Sequence, residues 1–60
     1  MDLLRASIKE IHKEEITTLN GKTYVDVELT VNIWGSIRRE ERVFRLSDWE
    51  DYKEQGYFLT

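Results

Sequence analysis

Residues 23–34, TYVDVELTVNIW, constrain the fold more than any other stretch of this chain. Val25, Val27, Leu29, Val31 and Ile33 hold the odd positions, and Tyr24, Asp26, Glu28, Thr30 and Asn32 the even ones. Successive side chains of a strand point to opposite faces, so this alternation, rich in β-branched residues, predicts a strand with one buried face. A strand needs a neighbour. Asn20-Gly21 lies just upstream and suits a two-residue type I′ turn, whose central residues both take positive φ. The preceding chain is therefore expected to return as an antiparallel strand over at least residues 11–18.

Further upstream the pattern reads two ways. Leu4, Ile8 and Ile11 fall at helical spacing, while Leu4, Ala6 and Ile8 alternate as in a strand. The strand reading needs a phase shift near Lys9-Glu10, of the kind a β-bulge supplies. The Asn-Gly turn tips residues 4–11 towards strand, with helix as the competing reading.

Gly35-Ser36 is the second turn signal. With these two as loop residues, Val27 faces Phe44 and Val25 faces Leu46, apolar on apolar. The same register sets Leu29 against Arg42 and Val31 against Glu40. Downstream, Ser47 and Glu50 form an S-x-x-E capping box, and Gly56 suits the left-handed position past a helix end. A two-turn helix is expected over residues 48–55, with Trp49 and Tyr52 facing the sheet and Glu50, Asp51 and Glu54 facing outward. The last residues, YFLT, read as an extended tail suited to an edge strand.

The expected fold is α+β and a single small domain, residues 1–60. A three-stranded antiparallel meander carries one short C-terminal helix on one face, with a fourth edge strand as an option. A chain of 60 residues buries only about 60% of the surface its unfolded form exposes. It has no cysteine and one histidine, which excludes disulfides, thiolate sites and a histidine-rich metal centre. No cofactor is expected. Neither a signal peptide nor a membrane span is read from the sequence, and a cytoplasmic, soluble protein is expected.

Chemistry is sparse. His12 with a serine and an aspartate does not make a catalytic spacing, and the Glu14-Glu15 and Glu40-Glu41 pairs do not converge on a strand. Gly-Lys-Thr at 21–23 lacks the upstream glycine of a phosphate loop. The expectation is a non-enzymatic protein.

Charge placement says more than net charge. Residues 1–47 carry as many acids as bases, so the whole surplus of −3 lies in DWEDYKE, residues 48–54. Acids at a helix start are favoured by its dipole. They also suit a helix presented to a basic protein surface. The apolar stripe from Val25 to Ile33 runs roughly 27 Å, against about 12 Å for the helix. Leu29, Val31 and Ile33, next to Trp34, are then left bare by the C-terminal helix, to be covered by an N-terminal helix, a second copy or another protein.

The leading expectation is thus a protein–protein interaction module, with a homodimer as one form, using Glu50, Asp51, Glu54, Leu29, Val31, Ile33 and Trp34. In size and look the chain resembles small bacteriophage and prophage proteins, among which acidic inhibitors of nucleic-acid enzymes are common; no motif assigns it to a family. The alternative is a nucleic-acid-binding module using Arg38, Arg39, Arg42 and Trp34, against which the acidic balance weighs. A third reading is a structural subunit of a larger assembly.

Overall fold

A computed structural model describes residues 3–60 of the chain. In chain order the elements are β1 (Arg5–Leu19), β2 (Lys22–Ile33), β3 (Ser36–Arg45), α1 (Leu46–Gln55) and β4 (Tyr57–Leu59). The four strands form one antiparallel sheet in the order β3-β2-β1-β4, and with one helix this is an α+β arrangement. The sheet has one strand more than a three-stranded meander: the C-terminal tail pairs with the start of β1, Ala6 opposite Phe58.

The upstream ambiguity resolves as strand, and its cause is visible. The β1–β2 register shifts twice, between Ile8 and Glu10 and between Ile11 and Lys13, leaving Lys9 and His12 as extra residues. Each bulge inserts one residue and turns the following side chains over. Ile8 therefore lies opposite Val31, Ile11 opposite Leu29 and Glu14 opposite Val27, all on one face. Two steps of three residues along a bulged strand mimic helical spacing.

Both hairpin turns place their central residues at positive φ: Asn20 at 52° and Gly21 at 76°, Trp34 at 54° and Gly35 at 85°. The second turn is thus Trp34-Gly35, one residue earlier than Gly35-Ser36. Asn32 holds it, its Oδ1 accepting the Gly35 N–H at 2.7 Å. The β2–β3 register consequently moves by two. Val25 faces Phe44, not Leu46; Val27 faces Arg42, not Phe44; Leu29 faces Glu40 and Val31 faces Arg38. Parity is preserved, so every side chain keeps its face.

The shift frees Leu46 from the sheet, and α1 begins there rather than at Asp48. Arg45 becomes the N-cap, without a side-chain bond, so the Ser47–Glu50 capping box does not form. Asp48 still adds charge in the first turn, where the dipole favours it. At the other end Gly56 adopts φ 88° and donates its N–H to the Tyr52 carbonyl at 2.8 Å, an αL ending. Its own carbonyl accepts the Ile8 N–H at 2.9 Å, so the helix stop also starts the β1–β4 pairing.

The core comprises Ala6, Val25, Val27, Leu29, Val31, Trp49 and Phe58. Phe44 ties helix to sheet: its ring lies parallel to Trp49 at 5.5 Å and edge-on to Tyr52 at 5.2 Å and to Phe58 at 5.1 Å. The sheet curls until its two outer strands meet. Arg42 of β3 lies 5.5 Å from the Phe58 ring centroid, and its Nη2 donates to the Thr60 Oγ1 at 3.3 Å. The stripe end left bare by the helix is therefore covered: Leu29 and Val31 are fully buried and Ile33 is half-buried. One helix is too short for the stripe, and the curl of the sheet together with Phe58 covers the remainder.

Candidate functional site

Three surfaces carry the residues singled out from the sequence. The first is the outer side of α1. Asp48, Glu50, Asp51 and Glu54 are all exposed. The one cation among them, Lys53, leans across to β1, with Nζ at 3.2 Å from the Glu14 Oε1 and 3.7 Å from Glu50. Asp51, Glu54 and Gln55 line a shallow, open depression. The acidic side is thus presented to solvent with little internal neutralisation.

The second surface is the β2–β3 turn. Trp34 is 86% exposed and joins no aromatic pair among the described residues. A bulky side chain at positive φ is uncommon, because its Cβ crowds the following carbonyl. Neither packing nor backbone preference accounts for a tryptophan there. Leu29 and Val31 are buried while Trp34 and the acidic residues of α1 are exposed, so the protein-binding residues named above do not form one surface patch.

The third surface is the basic strand. Arg38 and Arg42 point to the core side, opposite Val31 and Val27, whereas Arg39 points to the other face, opposite Thr30. Arg42 is held by Glu40 at 2.9 Å, and Arg39 by Glu28 on β2 at 3.2 Å. Arg38 forms no ion pair with the described residues, and its Nε donates to the Ser36 Oγ at 3.4 Å. The arginines and Trp34 therefore do not line a single groove.

One residue escaped the sequence reading. The sequence marks Glu14 only as one of a carboxylate pair that does not converge, yet its Oε1 accepts the indole N–H of the buried Trp49 as well as the Lys53 ammonium. A buried indole N–H needs an acceptor, and the second bulge turns Glu14 inward to provide it. The Trp49 hydrogen bond, opposed by partial burial and helped by Lys53, holds the Glu14 carboxyl below its ordinary pKa. Its inward placement depends on the count of bulges, which alternation alone does not reveal. His12 makes a local contact, its Nε2 lying 2.7 Å from the Thr30 Oγ1.

Among the described residues no group of three histidine, cysteine or acidic side chains is placed to hold a metal ion, and no helix is long and apolar enough to cross a membrane. Comparison with protein families, with curated proteins and with solved structures finds no match to this chain.

Proposed function

We propose that this chain is a small, non-enzymatic, cytoplasmic binding module that presents the outer side of α1 to a basic surface on another protein. The observation that carries this reading is the charge arrangement of the helix. Four carboxylates face solvent, while the segment's lysine is drawn to Glu14 on the sheet. A helix fixed by a buried tryptophan and by the Gly56 stop is a rigid mount for such a patch, so little ordering entropy opposes binding. A nucleic-acid enzyme, whose own groove is basic, is the kind of protein that such a patch suits, and an inhibitor of that class is the sharper form of the proposal.

The test compares the unmodified chain with the triple variant Glu50→Gln, Asp51→Asn, Glu54→Gln. Interacting proteins are recovered from the native host by cross-linking, at low and high salt. The reading requires a partner that is retained at low salt, released by salt and lost with the triple variant, while circular dichroism of the variant is unchanged. A partner held equally by both chains refutes it.

A further inference from the structure

The two outer margins of the sheet differ. The open side of β3 runs through Arg38, Arg39, Glu40, Glu41, Arg42 and Arg45. Charged side chains of this kind keep an exposed strand from pairing with another chain. The open side of β1 lacks that protection along part of its length. Up to Ile8 it is occupied, by β4 and by the Gly56 carbonyl. Beyond the second bulge β1 continues unpaired on that side, and from Ile16 to Leu19, Ile-Thr-Thr-Leu, it carries no charge. The helix packs over β2, β3 and β4 and reaches β1 at the Glu14 side chain, through Trp49 and Lys53, while Ile16 to Leu19 stay exposed. Every residue from Lys9 to Leu19 is exposed, and Ile16 retains 62% of its surface although it lies opposite the buried Val25.

Backbone geometry says which groups are free. Asn20-Gly21 is a two-residue loop, so Leu19 and Lys22 close it as a hydrogen-bonded pair, and such pairs alternate along an antiparallel ladder. Leu19, Thr17 and Glu15 then direct their N–H and C=O groups at β2. Glu14, Ile16 and Thr18 direct theirs outward.

We propose that this margin pairs with the same margin of a second copy, antiparallel, about a two-fold axis through Ile16. In that register Ile16 meets Ile16 of the other copy, Glu14 meets Thr18, and Glu15 meets Thr17. The self-pair at Ile16 is a hydrogen-bonded one, as its outward amide and carbonyl require. Charge selects the register. Centring on Lys13, Glu14 or Glu15 sets like charges directly opposite, which is unfavourable. Centring on Thr17 separates the two isoleucines and sets Glu15 against Leu19. A symmetric pairing uses one patch twice and closes on itself, so it yields a dimer and no fibre. The two curled sheets become one continuous sheet, with both acidic helices on the same side.

The absence of cysteine makes a direct test simple. Single-cysteine variants Ile16→Cys, Thr18→Cys and, on the other margin, Ile37→Cys are oxidised under mild conditions. Residues in a directly opposed pair lie about 5.5 Å apart, within disulfide range. The expected result is cross-linking of the Ile16→Cys chain at least tenfold faster than the other two, falling with dilution. A short paired margin is a small interface, so dimerisation of the unmodified chain is expected on the order of 100 μM. Sedimentation from about 10 μM to 1 mM shows it directly, and Ile16→Lys abolishes it with no loss of circular dichroism signal. A chain monomeric throughout that range overturns the proposal. So does equal cross-linking at all three sites, or a dimer that Ile16→Lys leaves intact.

Discussion

The two tryptophans of this chain occupy opposite extremes. Trp49 is fully buried, stacked on Phe44, with its indole N–H bonded to Glu14. Trp34 is almost wholly exposed, at a left-handed turn position, and bonded to nothing described. One side chain organises the core and the other contributes no packing to it. The contrast teaches that residue type alone does not locate the core of a small sheet protein. The element that carries the residue and its parity decide.

The largest expected effect falls on the buried member. Trp49→Ala removes the main contact between helix and sheet, at a cost of about 3–5 kcal/mol. Domains of this size have a total stability of comparable magnitude, so urea melts should find the variant largely unfolded in water. A cooperative transition near that of the unmodified chain would break the comparison from the buried side. Trp34→Asn should act in the opposite direction. Asparagine tolerates the left-handed conformation that tryptophan resists, and a gain of about 1 kcal/mol is expected. Loss of stability in the same melts would show that Trp34 packs after all. Acrylamide quenching then sharpens the contrast, because Trp34→Asn should leave only a blue-shifted, poorly quenched emission.

A smaller effect concerns the acceptor of Trp49. The Glu14 carboxyl is held below its ordinary pKa in the folded chain. A depressed carboxyl stabilises the fold while it is ionised, and that contribution disappears as pH falls through its lowered value. Glu14→Gln should therefore cost under about 1 kcal/mol at neutral pH, since the carboxyl is still partly solvated. The difference between the two chains should start to shrink at the ordinary carboxylate pKa of about 4 and vanish only below the lowered value. A difference that persists at lower pH would assign the effect to packing instead of charge. The smallest effect is at the helix start. Ser47→Ala should shift stability by less than about 0.5 kcal/mol, because no side chain caps α1. A loss near 1 kcal/mol would restore the capping box.

These same residues show what the sequence made legible. The alternation from Val25 to Ile33, the Asn-Gly turn, the Gly56 stop and the inward face of α1 depend on neighbours in sequence, and all were readable. The second turn was misplaced by one residue because Trp34 is a poor candidate for positive φ, whereas Gly35-Ser36 looks favourable. That displacement carried the strand register and the start of the helix with it. The burial of Leu29 and Val31 was not readable, since it follows from the curl that brings Phe58 and Arg42 together. Among the candidate surfaces, exposure of Glu50, Asp51 and Glu54 follows from local pattern, whereas the placement of Trp34 at the centre of a turn does not.

The paired bulges of β1 give that strand a property which uniform strands lack. Lys9 and His12 divide it into three blocks, each with its own offset against β2. A slip of one residue in any block would turn the inward side chains of that block outward, so the buried face of β2 holds each offset. The blocks are also separable. Deleting Lys9 should remove the first bulge and leave Ile8 opposite Val31 and Glu10 opposite Thr30, so Ala6 and Ile8 stay inward, β4 stays seated, and the pairing from Lys13 to Leu19 is unchanged. Single-residue deletions, which scramble most strands, are at these two positions compatible with the whole existing set of partners.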